Sequence, residues 1–183
     1  MDEKIFYLIN HLPHSAALNA TAQAIDFLTS TGIIFAILFL INFLAKREER
    51  RQLAKIIFWS IIANLVVVEV IIKNLVQRAR PFDALTEVIK VGGEPWTYSF
   101  PSGQTALAFG VAIAYILIFP KKLETYLILT FAIIVGLIRI YLGDHYPSDV
   151  VVGAMIGSAI TVAIYRILIV TNLHKLSNRR SKS

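Results

Sequence analysis

The chain has 183 residues, 56% of them hydrophobic and only 16% charged, with a mean hydropathy of +0.66. So little charge beside so many long apolar runs excludes a water-soluble domain and indicates an integral membrane protein. There is no cysteine, so disulfides and thiolate metal sites are excluded. The net charge of +6 lies in short clusters beside apolar runs. That pattern orients membrane proteins and does not suit nucleic acid.

In chain order, residues 4–12 and 17–30 mix apolar with polar side chains and are broken by Asn10, Pro13, Asn19 and Asp26. They read as short helices at the membrane interface or packed on a bundle. The acidic start Met1-Asp-Glu-Lys, and His11, Pro13 and His14 soon after, do not fit a cleavable signal peptide. A first span starts near residue 24, continues through Ile33 to Ala45 and ends at Lys46-Arg-Glu-Glu-Arg-Arg51. A second runs from Leu53 to Val76, with Pro81 as its limit. Residues 82–100 form a loop containing Gly92, Gly93 and Pro95. The third span runs from Ser102 to Phe119, the fourth from Leu123 to Leu142 and the fifth from Pro147 to Val170. Each has the roughly 20 residues a bilayer requires. The expected fold is all-α: a helical membrane bundle of about five transmembrane helices with the N-terminal helices packed on it. One domain covers residues 1–175, followed by a basic cytoplasmic tail over 176–183.

Charge sets the expected orientation. Of the 18 Lys and Arg residues, 11 fall on one side: Lys46, Arg47, Arg50, Arg51, Lys55, Lys121, Lys122, Lys175, Arg179, Arg180 and Lys182. That side should be cytoplasmic. Lys73, Arg78, Arg80, Lys90 and Arg139 then face the extracytoplasmic side.

Those residues accompany an anion-binding turn. In Tyr98-Ser-Phe-Pro-Ser-Gly-Gln-Thr105 a Pro/Gly turn opens into an apolar helix, and the free N–H groups and dipole of a first helical turn favour a phosphate-sized anion. Lys73 and Arg80 are seven apart, so on one helix they share a face. Glu69, one turn before Lys73, is expected to pair with it, ahead of a catalytic role. Arg139 interrupts an apolar run, where a charge is expensive and usually functional. His145 and Asp149 are four apart, so a carboxylate can fix the imidazole tautomer and leave the other nitrogen free to attack. Gly153-Ala-Met-Ile-Gly157 reads as helix packing. Asn42 and Asn64 read as interhelical hydrogen-bonding residues, and Trp96 as an interfacial residue near the mouth.

Lys73-x6-Arg80-Pro81, Pro101-Ser102-Gly103 and Arg139-x5-His145-x3-Asp149 together resemble the three-part signature of the type 2 phosphatidic acid phosphatase superfamily, which also includes vanadium haloperoxidases. The resemblance covers about residues 53–170; the first thirty residues only loosely resemble bacterial undecaprenyl-diphosphatases of that superfamily. It implies that Lys73, Arg80 and Arg139, with the backbone of Ser102 and Gly103, hold the phosphate oxygens. It also implies that His145 is the nucleophile, forming a phosphohistidine, and that Asp149 orients it. Three cations and a helix N-terminus stabilise phosphoryl transfer without a metal, and the sequence shows no carboxylate cluster suited to Mg²⁺, so no cofactor is expected.

One position departs. The family pattern has a histidine, the acid for the leaving oxygen, where this chain has Gln104; a lesser departure is Ile138, often serine in the family. Four explanations stand side by side for Gln104. It is an introduced inactivating change, in a phosphatidylglycerol phosphate or phosphatidate phosphatase for example; or the mark of a silent lipid-phosphate binder or flippase; or offset by another acid such as Asp144; or unneeded because the leaving group is itself a phosphate. A phosphate monoester has a second pKa near 6 and leaves without protonation, whereas an alkoxide does not. The last explanation favours a polyprenyl diphosphate, undecaprenyl diphosphate first, with Arg78 near enough to assist. The expected location is a bacterial plasma membrane.

Overall fold

The computed structural model describes the backbone of residues 1–180 and the side chains of residues 1–170. The expected tail over 176–183 lies outside the described side chains. The chain forms α1 (Asp2–Asn10), α2 (Ala16–Ser30), α3 (Ile33–Phe43) and α4 (Glu48–Asn64). A π-helical stretch, Leu65–Ile72, carries α4 into α5 (Lys73–Val76). Then come the single turn α6 (Pro81–Ala84), α7 (Gly103–Ile118), α8 (Leu123–Tyr141) and α9 (Pro147–Arg180). No strand occurs among the described residues, as expected of an all-α bundle.

Helix α7 is the axis of the bundle. Its buried face is built of small residues, Ala106, Ala108, Ala112 and Ala114, with Val111 and Tyr115, and it packs against α4, α8 and α9. Small residues let backbones approach where lipid tails give no hydrophobic drive to associate. Gly157 of α9 lies directly on the backbone of Ala106, and a Cβ at Gly153 would stand 2.5 Å from the Ser102 carbonyl oxygen. The glycine pair is therefore a packing motif, as its spacing predicts. Leu53, Ile56 and Ile57 of α4 and Ala132 and Val135 of α8 complete the core. Leu75, Leu123 and Met155 point outward, as suits side chains that meet lipid.

Polar groups seal the interior. Asn42 Nδ2 donates to the Tyr115 hydroxyl at 2.8 Å, so its interhelical role is present. Asn64 differs: its amide donates at 2.9 Å to the Ser60 carbonyl of its own helix. Trp96 is fully exposed.

Among the described residues, three helices are long and apolar enough to cross a membrane: Glu48–Ala84, Leu123–Tyr141 and Pro147–Val170. Ala16–Ser30 and Ile33–Phe43 qualify as a fourth only if taken together, and they are bent by 58° at the break. There Gly32 adopts a left-handed φ of 73°, a conformation a glycine reaches without steric cost. The buried α7, with 16 residues, is shorter than these. The sequence expectation of one first span from residue 24 therefore becomes a bent pair, and residues 16–30 belong to it.

The ends of the bundle differ in chemistry. At one end Arg50 grips the Glu124 carboxylate with contacts of 2.7 and 2.8 Å and lies over the Phe119 ring. This joins the basic α3–α4 and α7–α8 connections. The other end gathers α1, residues 77–100 and the turn before α9. There α1 is packed in place: Phe6 is fully buried against Tyr146. Asn10 donates to the carbonyls of Ile89 and Tyr141 and accepts from the Ile89 N–H.

Candidate active site

At that second end, a cavity of about 530 Å³ is lined by Glu69, Lys73, Arg80, Gly103, Gln104, Arg139 and His145, with Asp26 and Thr29 from α2 and Thr97 from the loop. Three segments far apart in sequence thus deliver their charged residues to one place. The helix bearing Lys73 ends at Val76, and Gln77 turns left-handed (φ 51°). Arg80 is therefore in extended backbone, not on the helical face the seven-residue spacing suggests. Both cations still converge, because each reaches the Thr97 hydroxyl: Lys73 Nζ at 3.4 Å and Arg80 Nη2 at 3.0 Å.

His145 is buried. Arg80 Nη1 donates toward its Nε2 at 3.3 Å. A guanidinium can only donate, so Nε2 is the unprotonated, acceptor nitrogen, its lone pair directed at Arg80, and the ring proton belongs on Nδ1. That nitrogen lies 3.7 Å from Asp149 Oδ2, a long contact of the kind that tightens when substrate binds. The carboxylate itself is fixed: Oδ2 accepts from Ser99 Oγ at 2.5 Å and the Tyr146 N–H at 2.9 Å, and Oδ1 from Arg78 at 2.5 Å. Burial lowers the His145 pKa to about 3. Asp149 pulls it upward, while Arg139 and Arg80 push it further down. These effects favour the neutral imidazole, the form a nucleophile requires.

Arg139 is buried and ion-paired on both sides, with Asp26 of α2 and, at 2.8 Å, with Asp144. Its Nε is a buried donor with no hydrogen-bond partner. Lys90 also pairs with Asp144 at 3.0 Å. Two cations thus hold the Asp144 carboxylate, and it does not line the cavity; it places Arg139 and is not set up as an acid. Gln104 does line it, and its Oε1 is buried with no hydrogen-bond partner.

Two expectations need correction. Ser102 does not line the cavity. Its N–H is donated to the Asp149 carbonyl at 3.0 Å and its hydroxyl pairs with that of Thr105, so it ties α7 to α9. Gly103 is the first cavity-facing residue of the turn. Arg78 does not reach the cavity either; it bridges Asp149 to Asp2 and stacks on the Tyr146 ring at 3.8 Å. Asp2 in turn accepts from the N–H and hydroxyl of Ser148. Burial opposes the charge of Asp2, but Ser148 and Arg78 offset it and hold its carboxyl below the ordinary range.

The PAP2 superfamily model matches residues 53–172, the stretch that supplies nearly all of this cavity. The chain belongs to the PAP2 superfamily. Among PAP2 relatives and others, it is 34% identical over 134 residues to the bacitracin transport permease protein BcrC of Bacillus licheniformis. That match covers 72% of this chain and 64% of the relative. It is 29% identical over 114 residues to an undecaprenyl-diphosphatase of Sulfolobus acidocaldarius, covering 62% of this chain and 54% of that one. In three dimensions it resembles the crystal structure of Aquifex aeolicus LpxE. The TM-score is 0.76 and the identity 29%, with 90% of this chain and 94% of that one aligned.

Within the PAP2 region, the residues the sequence singled out do meet: Lys73, Arg80, Gly103, Gln104, Arg139 and His145 share the cavity, with Asp149 directly behind. Sequence reasoning missed Asp2, Asp26, Thr97 and Ser99. Asp26 carried a signal, a lone carboxylate in an apolar helix with an intramembrane arginine still unpaired.

Proposed function

We propose that this chain is a metal-independent membrane phosphatase that hydrolyses a lipid diphosphate or phosphate, undecaprenyl diphosphate favoured, through a phosphohistidine on His145. The observation that carries the reading is the buried imidazole with Nε2 turned into a cavity of three cations and Nδ1 turned to a fixed carboxylate. Lys73, Arg80 and Arg139 hold the equatorial phosphate oxygens, with the first turn of α7 at Gly103 behind them. The orphan Arg139 Nε is one donor such an oxygen would satisfy. Nε2 attacks phosphorus, the bond to the leaving oxygen breaks, and Asp149 stabilises the imidazolium that forms. The three cations perform the charge neutralisation that a metal supplies elsewhere, with Glu69 and Asp26, which pair with two of them, also in the wall. Likeness to an undecaprenyl-diphosphatase and the leaving-group argument at Gln104 both favour a diphosphate.

The positive-inside distribution supports a cavity on the extracytoplasmic face of the plasma membrane. A second reading, a silent lipid-phosphate binder or flippase, is favoured by Gln104 alone. The deciding experiment measures phosphate release from a panel of lipid mono- and diphosphates, with and without EDTA, for the chain and for His145→Ala. Release that survives EDTA and disappears in His145→Ala is expected. No release from any lipid favours the binder, and loss on chelation refutes the roles given to the three cations.

A further inference from the structure

The cavity holds one more reactive group. Glu69 lies on the π-helical stretch and lines the cavity. Lys73 Nζ takes its Oε2 at 2.8 Å, while Oε1 is seated against Gly103, in the space a Cβ would fill. A carboxylate therefore stands at the first turn of α7, one residue from Gln104. A continuous arc joins it to the imidazole: Lys73 Nζ to Thr97 Oγ1 at 3.4 Å, Thr97 Oγ1 to Arg80 Nη2 at 3.0 Å, and Arg80 Nη1 to His145 Nε2 at 3.3 Å. His145 and Glu69 occupy its two ends.

A phosphohistidine route makes two demands on protons. In the first half, Nε2 bonds to phosphorus and the leaving phosphate departs with the electron pair of the broken P–O bond, so no proton donor is required. In the second, a water oxygen bonds to phosphorus, the P–N bond breaks and its electron pair returns to Nε2. One proton of that water must pass to a base, and the amide of Gln104 cannot accept it. We propose that the Glu69 carboxylate is this base: it takes the proton from the attacking water and gives it up to solvent or to the departing phosphate. Water must approach phosphorus from the side opposite Nε2. For a phosphoryl group held along the Lys73–Thr97–Arg80 arc, that side is the Glu69 end. Gly103 matters for the same reason, since any larger residue there displaces the carboxylate. The role rests on the phosphatase reading above.

The test is rapid-quench kinetics on the full chain in detergent micelles, with farnesyl diphosphate carrying ³²P in its terminal phosphate. In Glu69→Gln, the protein should take label at close to the parent rate and release it about 100-fold or more slowly, the low end of what a general base contributes. Acid-labile phosphoprotein should then build toward one per chain, and hydroxylamine, a nucleophile that needs no base, should speed its loss. Glu69→Asp keeps the carboxylate and should slow release less. It carries the test alone, through the same accumulation of label, should Glu69→Gln fail to fold. Release at the parent rate overturns the proposal. So does labelling that slows as much as release with no phosphoprotein accumulating, which would make Glu69 only the holder of Lys73. A parent chain that takes no label and releases no phosphate overturns the phosphatase reading itself, before any variant is compared.

Discussion

Replacing Gln104 with histidine separates the meanings this position can have. Gln104 lines the cavity with His145 and Arg139, and its Oε1 has no hydrogen-bond partner. The substitution therefore breaks no bond at that oxygen, and the difference in gain between the two substrate types reports the proton donor. General acid catalysis is worth about 10²–10⁴-fold, or roughly 2.7–5.4 kcal/mol at 1.36 kcal/mol per decade. A lipid monophosphate, whose leaving group is an alkoxide, should gain that whole factor in kcat/KM. A diphosphate releases a phosphate whose second pKa is about 6, so its gain should stay below about tenfold. The assay is kcat/KM for phosphatidate and for a polyprenyl diphosphate in the same micelles, for the chain as it stands and for Gln104→His. An equal gain on both substrates would make Gln104 a disabled acid and remove the basis of the diphosphate preference. No gain on either would refute the placement of residue 104 at the leaving oxygen. Because histidine also accepts protons, Gln104→His should restore label release in a Glu69→Gln background.

Three further outcomes are expected. Burial, then Arg139 and Arg80, lower the His145 pKa to about 3, so the nucleophile stays neutral as pH falls through 6.5, where a free imidazole charges. Corrected for ionisation of the substrate's own phosphate at about pH 6, phosphoenzyme formation should be flat from pH 7.5 to 5, and a remaining fall centred near 6.5 would show an ordinary histidine. Gly157→Ala puts a Cβ within 2.6 and 2.8 Å of Ala106 carbon atoms and should cost about 1–3 kcal/mol, with α7 and α9 forced apart; thermal unfolding in detergent at the parent temperature would contradict the packing. Cysteine placed at Lys90 of this cysteine-free chain should label from outside the cell, and one at Lys121 from inside; labelling from the same side would overturn the orientation.

What the sequence revealed was what depends on short spacing. Arg139, His145 and Asp149 sit within one turn-and-helix start, so their order alone brings them near each other. Gly153 and Gly157 share a helix face, and that fixed their role. The rest is long-range. Asp26 meets Arg139 across 113 positions, and Asp2 meets Ser148 across 146; no local pattern predicts either pairing. Arg78 shows the cost of reading by proximity in sequence. It stands two residues from Arg80 yet binds Asp149 Oδ1 from outside the cavity that Arg80 lines. The bent α2–α3 pair was missed for a similar reason: apolar composition continues across Thr31 and Gly32, and only the backbone shows the break.

The partners of the cations decide how the proposed site must work. Lys73 already holds Glu69, and Arg139 already holds Asp26 and Asp144. A phosphate that binds these two exchanges one anion for another, so much of the Coulombic gain is offset by the pairs it loosens. Arg80 is different. Among the described residues no carboxylate lies within ion-pair distance of it, and its donors go to the carbonyls of Thr97, Tyr98 and Asp144, the Thr97 hydroxyl and His145. Its charge is buried and held in place by neutral acceptors, the arrangement in which an incoming phosphate gains most. The same guanidinium touches the attacking nitrogen. On the proposed reading, Arg80 is the group that would couple phosphate binding to the position of the nucleophile, while Lys73 and Arg139 would adjust to substrate through carboxylates they release. Glu69, freed from Lys73 in that exchange, is left beside the phosphoryl group where the second half of the reaction needs a base.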